Sequence, residues 1–186
     1  LSMEKIDPRR LAKIQLQLRD YEAAMRRIYE DAIITPTRPL VLTYVLGATG
    51  RRIGEVLQLT TEDILWQDKR ILWRIEKKKA PEVLSLPVSE RLLKLLDRYI
   101  RLNGVSFKLF EVSRQQAWYD VKRTLARYGL AGWRPHDLRH AFALKMLLDT
   151  RDIEKTRRWL AHSDYRLILY YVRIVGLDFD RYPVEI

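Results

Sequence analysis

The stretch RPHDLRH, residues 134–140, follows a proline with two histidines and an arginine inside little more than one helical turn. A proline at the first helical position predicts a helix that begins near Pro135. On that helix His136, Arg139 and His140 occupy positions i, i+3 and i+4, so their side chains share one face. Unpaired backbone N–H groups and the positive end of the helix dipole lie at the same end. The stretch therefore predicts an anion site.

Metal binding is the second interpretation of this stretch. His136 and His140 have the i, i+4 spacing of the zinc motif H-E-x-x-H, and His162 is a third ligand to consider. Asp137 is shorter than the glutamate that acts as general base in that motif, and Arg139 would hold a cation beside a dication. We rank zinc below phosphate. Taken alone, the stretch also fits a capped helix whose histidines bond to the backbone.

The composition is that of a single globular domain. The chain has 186 residues, of which 47% are hydrophobic and 32% charged, enough for one domain with its own core. We therefore interpret residues 1–186 as one domain. No apolar run approaches the length of a membrane span, and the first residues lack the apolar stretch of a signal peptide. We expect a soluble, cytoplasmic protein without a membrane partner.

Cysteine content and charge narrow the function. The chain contains no cysteine, which excludes disulfides and thiolate metal sites. Its net charge of +11 attracts polyanions, so nucleic acid is the expected partner. The alternative is a protein that is basic without a nucleic-acid role, since many charges of both signs also suit a thermophile.

Hydrophobic periodicity predicts a mainly α fold with a small antiparallel sheet. Residues 8–30 carry apolar groups three and four apart and are predicted as one helix, which opens at Asp7 and Pro8. The apolar run at 40–48 is of undecided type. RILWRIE at 70–76 and EVLSLPV at 82–88 predict a hairpin around a basic tract. Further helices are predicted over 49–59, 89–104, 113–129, from Pro135 onward, 152–160 and 163–174.

Two more motifs carry chemistry. ATGRRIGEVLQL, residues 48–59, places a tight turn before Arg51 and Arg52, with Glu55 one helical turn beyond Arg52. An arginine at a helix start that is braced by a carboxylate is a preorganised donor for phosphate. LAHSDYRLILYYVRI, residues 160–174, places Tyr171 nine positions after His162. A tyrosine among apolar residues is usually core, so Tyr171 alone is a weak candidate.

The order of these motifs resembles the catalytic domain of the tyrosine recombinase (phage integrase) family. TGRRIGE comes first, then a hairpin lysine before LSLP, then HDLRH, LAH and the later tyrosine, over residues 40–175. Carried over by position, the resemblance implies a catalytic set of Arg52, Lys79, His136, Arg139, His162 and Tyr171.

Supporting residues and alternatives accompany this set. The resemblance implies Glu55 as the acid that accompanies the first arginine, and we take His140 as a further supporting residue. Because hairpin length varies, Lys77 and Lys78 stay open beside Lys79. Tyr170 is the neighbour of the implied nucleophile and its rival. The glycine that usually precedes the later histidine is replaced by alanine at position 161.

The resemblance implies cleavage and rejoining of DNA strands without metal or cofactor. Two guanidiniums stabilise the charge that develops on the phosphate, and His162 adds a donor. A tyrosine hydroxyl, whose ordinary pKa is about 10, needs nearby cations and a base such as His136 to attack at neutral pH. Lys79 would protonate the leaving 5′ oxygen. The product of the first step is a 3′-phosphotyrosyl intermediate, which a 5′ hydroxyl of a partner strand resolves.

Double-stranded DNA and further copies of the chain are the implied partners, with four protomers on two duplexes. We expect a catalytic domain alone, without the DNA-clamping domain that usually precedes it in this family, and therefore incomplete recombination. Residues 172–186 would form a C-terminal tail that docks on a neighbour or on its own domain. The alternatives are a noncatalytic DNA-binding module of the same fold, a type IB topoisomerase with the same first step, and a zinc hydrolase that uses HDLRH.

Overall fold

A computed structural model of the chain describes residues 7–76, 82–161 and 165–176. The helices of this part are α1 (Pro8–Leu16), α2 (Leu18–Ile34), α3 (Arg38–Thr49), α4 (Ile53–Leu57), α5 (Glu90–Leu102), α6 (Arg114–Arg127), α7 (Pro135–Thr150), α8 (Ile153–Leu160) and α9 (Tyr165–Val175). A 3₁₀ turn at Thr61–Asp63 precedes the strands, which are β1 (Ile64–Leu65), β2 (Arg70–Ile75) and β3 (Glu82–Pro87). The predicted fold class, mainly α with a small antiparallel sheet, is confirmed.

Helix α3 is the centre of the molecule. It is the apolar run of undecided type, and it is a helix because Pro39 sits in its first turn and Gly50 ends it. Every residue from Val41 to Leu46 is buried, as expected for a helix that is largely apolar all round. It contacts α2, α5, α6 and α7. The loop that follows α3 therefore starts from a rigid support.

The three strands form one antiparallel sheet in the order β1–β2–β3. The β2–β3 hairpin agrees with the sequence prediction, and its register pairs Arg70 with Pro87 and Ile75 with Glu82. Alternating residues of β2, among them Ile71 and Trp73, are buried, which fixes which face of the strand meets the core. The candidate lysines at 77–79 lie outside the described residues, between the ends of these two strands.

The single helix predicted over residues 8–30 is two helices. The first ends at Leu16, and Gln17, with φ −103° and ψ 15°, turns the chain before the second begins at Leu18. The break lets the two segments meet different neighbours, because α1 contacts α7 and α9 while α2 packs mainly on α3. Trp133 donates its indole N–H to the Gln17 side chain at 2.9 Å, which holds the break in place.

None of the helices in the described part of the chain is both long enough and apolar enough to cross a bilayer.

Candidate active site

The HDLRH motif forms the first turns of α7, as predicted. Pro135 begins the helix, and Asp137 caps it by accepting the backbone N–H of Arg134 at 2.7 Å. The rings of His136 and His140 meet edge to face with centroids 4.7 Å apart, so these two residues share a face of the helix. Both side chains are partly exposed. The start of α7 therefore carries two partly exposed imidazoles in contact with each other.

Arg139, on the same helix, is only 2% exposed. Its two terminal nitrogens donate to the carbonyl of Gly50, at 2.7 Å, and to the carbonyl of Leu160, also at 2.7 Å. The pKa of Arg139 is lowered to about 9, first by burial and then by the positive charges of Arg52 and Arg51. It stays protonated at neutral pH. Because Arg139 donates to the Gly50 carbonyl, it is tied to the loop in which Arg52 lies two residues further on.

The loop between α3 and α4 carries the other arginine. Gly50 adopts φ +68°, and an added Cβ would lie 2.5 Å from the Phe142 ring, so both conformation and space require glycine. Arg52 is the partly exposed residue before α4. Its accompanying carboxylate, Glu55, is buried and accepts the backbone N–H of Arg52 at 3.1 Å. The predicted brace therefore acts on the backbone of the arginine.

Glu55 also ties this loop to the hairpin. Its second oxygen accepts the backbone N–H of Glu76 at 3.1 Å, and Glu76 is the last described residue before the basic tract. At Gly54 an added Cβ would lie 1.9 Å from Oε1 of Glu76, so glycine allows this close approach. The described base of the hairpin is thus fixed beside the arginine loop. Which lysine of residues 77–79 acts remains a prediction.

Tyr171, on α9, reaches the start of α7. Its hydroxyl lies 2.6 Å from Nδ1 of His140, and the two rings meet at 61°. The tyrosine is fully buried, so its hydroxyl is enclosed within the site. The described hydrogen bond joins it to His140, which we had placed in a supporting role, whereas we had proposed His136 as proton acceptor. Tyr170, its rival, is partly exposed on the same helix.

The C-terminal end of α8 contacts the site through the carbonyl of Leu160. Ala161, which stands where the family usually has glycine, adopts φ 54° and ψ 34° in the left-handed region. That conformation costs a side chain about 1 kcal/mol relative to glycine. The preceding carbonyl, of Leu160, accepts from Arg139. His162 lies outside the described residues and stays a predicted site residue.

A salt bridge that the sequence analysis missed supports α7. Arg10 on α1 donates through Nε to Oδ1 of Asp137 at 2.7 Å, and its Nη2 contacts both Oδ2 of Asp137 and the carbonyl of Gly132. Burial raises the pKa of Asp137, but the hydrogen bonds from Arg10 and the Arg134 backbone outweigh it, so this pKa lies below its ordinary value. Helix α1 is therefore fastened to the residue between His136 and Leu138.

Replacing Arg10 with methionine is expected to lower the free energy of unfolding by about 1–2 kcal/mol at pH 7. The pKa of Asp137 is lowered in the folded protein. The ion pair therefore adds its full contribution to the free energy of unfolding above the unfolded pKa of Asp137, about 3.9, and loses it as the pH falls through the pKa of the folded state. Thermal unfolding between pH 2.5 and 8 measures this, and the two proteins should converge in acid.

Arg9, one position away and exposed, supplies the matched control for that measurement. Arg9→Met removes the same charge without touching Asp137 and should unfold like the wild type. A stability difference for Arg10→Met that persisted unchanged at pH 2.5 would contradict the assigned ion pair.

The zinc interpretation gains no support from the described side chains. Within residues 7–76, 82–161 and 165–176, no three His, Asp or Glu side chains are grouped in a way that could hold a metal ion. His140 turns Nδ1 to the tyrosine hydroxyl, and the Arg139 cation lies in the same site. The donor set and its charge suit an anion better than a dication.

Residues 19–175 match the family model of the phage integrase family. The chain belongs to that family. The resemblance stated from the motifs alone is thereby confirmed. The tyrosine recombinase XerD of Corynebacterium glutamicum is 30% identical over 175 residues, which cover 87% of this chain and 57% of the relative. XerD of Yersinia pestis is 28% identical, over 74% of this chain and 50% of the relative. The chain spans about half the length of the curated relatives it matches.

Solved structures with the same fold include recombinases bound to DNA. The XerH site-specific recombinase bound to palindromic difH substrate, a post-cleavage complex, superposes with a TM-score of 0.70 at 20% identity, over 86% of this chain and 49% of that one. A lambda integrase dimer bound to a COC′ core site gives 0.61 at 17% identity, over 87% and 49%. At these identities the likeness establishes the phage integrase catalytic-domain fold.

The sequence patterns did not identify two buried residues of this phage integrase family member, Arg51 and Asp137, as part of the site. Arg51 was read only as the neighbour of Arg52, although its i, i+4 spacing to Glu55 is the signal of a helical ion pair. Asp137 was weighed only as a zinc-site base, although an acidic residue at the third position of a helix is typical of a cap. Neither signal identifies Trp159 or Arg10, the distant groups that these residues bind.

Proposed function

We propose that this chain is the strand-cleaving part of a site-specific DNA recombinase or integrase. One observation carries the proposal: a tyrosine hydroxyl 2.6 Å from a histidine ring nitrogen lies in the same site as two arginines from separate parts of the chain. Membership of the phage integrase family supports it. The relatives named as tyrosine recombinases are longer than this chain, so we extend recombinase activity to the chain by proposal.

The chemistry needs charge stabilisation without a resident metal. Arg52, which is half-buried, binds the nonbridging oxygens of the scissile phosphate, and the buried Arg139 adds positive charge as the pentacoordinate state develops. The hydroxyl oxygen of Tyr171 attacks phosphorus and its proton passes to His140. The bond to the 5′ oxygen breaks, and a hairpin lysine, for which we propose Lys79, returns a proton to that oxygen.

Rejoining reverses these steps with a different strand. A 5′ hydroxyl from the partner duplex attacks the 3′-phosphotyrosyl bond, and Tyr171 leaves with its proton restored. No nucleotide is consumed because the covalent intermediate conserves the phosphodiester energy. We propose that His162 donates to the phosphate, and that His136 assists His140 through the ring contact at 4.7 Å.

Burial of the nucleophile implies a conformational step. Tyr171 has no exposed surface and Arg139 only 2%, so neither meets a DNA phosphate without movement of the surrounding side chains or of α9. We propose that DNA and neighbouring protomers supply that movement. Double-stranded DNA and a tetramer of this chain remain our proposed partners. DNA-bound complexes among the structural relatives, including a lambda integrase dimer, support the DNA partner. The cytoplasmic location stays a prediction.

A suicide duplex tests the function directly. The substrate carries a nick just beyond the scissile phosphate, so that cleavage releases a short fragment and leaves the protein covalently joined to DNA. Because the target site is unknown, the duplexes come from a library that is selected for attachment to the protein. Mass spectrometry of the joined peptide should locate the phosphate on Tyr171. Attachment at Tyr170, or at a serine, would contradict the assignment.

The burial of Tyr171 also favours a second candidate, a DNA-binding module without catalysis. Such a module would bind duplex DNA through its basic surface and never become joined to it. Binding without attachment across the whole selected library would favour this alternative over the recombinase.

A further inference from the structure

Arg51 is the most unusual residue of the site that the proposed chemistry does not use. It is 1% exposed, and its side chain is completely buried, so it cannot contact DNA. Its Nη2 donates to the carbonyl of Trp159, and Nη1 lies 3.9 Å from Glu55. Among the described residues, neither Nε nor Nη1 has a hydrogen-bond partner. A guanidinium is therefore buried with two of its three nitrogens unsatisfied.

An arginine in this place costs stability. Burial lowers the pKa of Arg51 to about 10. The carboxylate of Glu55 favours the protonated guanidinium, whereas the positive charge of Arg52 disfavours it. Buried ions with unmade hydrogen bonds are destabilising, and replacing a whole buried ion pair with apolar residues is often neutral or better. A residue that costs stability is a candidate for a functional role, because functional sites often trade stability for activity. The contacts of Arg51 indicate what this function is.

The carbonyls of the last turn of α8 accept hydrogen bonds from two kinds of donor, the backbone and arginine side chains. A helix leaves its final four carbonyl groups without partners inside the helix. The carbonyls of Arg157 and Arg158 accept the N–H of Ala161, whereas those of Trp159 and Leu160 accept from Arg51 and Arg139. The two arginines thus hold adjacent carbonyls, at the helix end where the dipole is negative.

A third contact ties the same helix end to the loop before Arg51. The indole N–H of Trp159 donates to the carbonyl of Thr49 at 3.1 Å, and its ring stacks on Phe142 at 6.0 Å. The end of α8, the arginine loop and α7 are therefore joined at one point. The chain leaves this point through Ala161 toward position 162.

We propose that Arg51 is a positioning residue, which with Arg139 clamps the C-terminal end of α8 and so sets where the segment leading to His162 begins. The inference rests on the proposed function for its cleavage readout. Its geometric content, a buried charge that holds a helix end against the arginine loop, does not depend on that function.

The test compares Arg51→Met, Arg51→Lys and wild type, with Arg101→Met as control. Arg101 is an exposed arginine paired with Asp97 on α5, a helix that carries none of the clamp residues, so its loss removes one positive charge without touching the clamp. Three quantities are measured: the cleavage rate on the suicide duplex at saturating DNA, the DNA dissociation constant, and the melting temperature. Hydrogen exchange of the peptide covering residues 156–161 is followed in parallel.

For Arg51→Met we expect the cleavage rate to fall by about 10- to 100-fold. This is less than the roughly 100- to 1,000-fold loss that follows removal of a donor that touches the reacting group, because Arg51 acts through other residues. The dissociation constant should stay within about twofold because Arg51 is buried. The melting temperature should change by no more than about a few degrees, because relief of the buried cation offsets the loss of the donor to the Trp159 carbonyl. The 156–161 peptide should exchange faster than in wild type. Arg51→Lys should recover part of the rate. Arg101→Met should match wild type in rate, melting temperature and exchange.

Two results would overturn the inference. One is wild-type cleavage and exchange in Arg51→Met. The other is a purely structural pattern, in which Arg51→Met unfolds or melts well below wild type, with rate and affinity falling together and no recovery in Arg51→Lys. If the wild type itself never joins DNA, the proposed function fails, and the exchange and melting data still decide whether the clamp exists.

Discussion

Replacing Tyr171 with phenylalanine is expected to abolish covalent attachment to DNA while leaving DNA affinity within about twofold of wild type. The change removes only the nucleophilic oxygen, because the ring stays in the same buried place. Loss of the hydrogen bond to His140 should cost about 1 kcal/mol of folding free energy, which a domain of this size tolerates. Denaturing gels after incubation with the suicide duplex measure attachment, and a mobility shift measures affinity.

Tyr170→Phe is the matched control, since it removes the same oxygen one residue earlier on the same helix. This variant should retain the wild-type rate of attachment. If Tyr170→Phe lost the covalent product and Tyr171→Phe kept it, the nucleophile would be Tyr170 and not Tyr171. Attachment in both variants would exclude a tyrosine of α9 at these two positions.

Replacing Arg139 with methionine is expected to damage folding and catalysis together. Its two terminal nitrogens hold the carbonyls of Gly50 and Leu160, so its loss leaves two buried acceptors without these donors. We expect the free energy of unfolding to fall by about 2–4 kcal/mol and the cleavage rate to fall by about 100- to 1,000-fold. Urea unfolding measures the first effect, and single-turnover cleavage at a temperature where the variant is folded measures the second.

Arg139→Lys separates charge from geometry in this position. Lysine keeps the positive charge, but a single ammonium replaces the planar fork that reaches two carbonyls. It should recover part of the stability and little of the rate. Arg134→Met, at an exposed arginine one residue before the same helix, should behave like wild type in unfolding. Stability equal to wild type in Arg139→Met would contradict the role of the two carbonyl contacts.

Several parts of the fold followed from local pattern alone. The capped start of α7 at Pro135 and the β2–β3 hairpin agree with the prediction because caps, prolines and alternation act over a few residues. The run at 40–48 was ambiguous, since a short, wholly apolar segment suits a buried strand as well as a buried helix. The break at Gln17 was missed because the apolar spacing continues across it.

The candidate site divides in the same way. The spacing of His136, Arg139 and His140 placed them on one helix, and their order with Arg52 and Tyr171 indicated the family. The burial of Tyr171 on His140 could not be predicted, because it depends on how α9 packs against α7. The clamp of Arg51 on Trp159 joins residues 108 positions apart.

By itself, the sequence determined the helical class, the hairpin, the arginine and histidine motifs and the family to which they belong. These features are set by interactions within a turn or two of the chain, or by the order of short motifs along it. Only the tertiary structure decided that Arg139 turns to the carbonyls of Gly50 and Leu160, and that Arg51 is buried beside it. Such partners are chosen by the packing of distant helices, since a buried cation takes whatever acceptors that packing brings within reach.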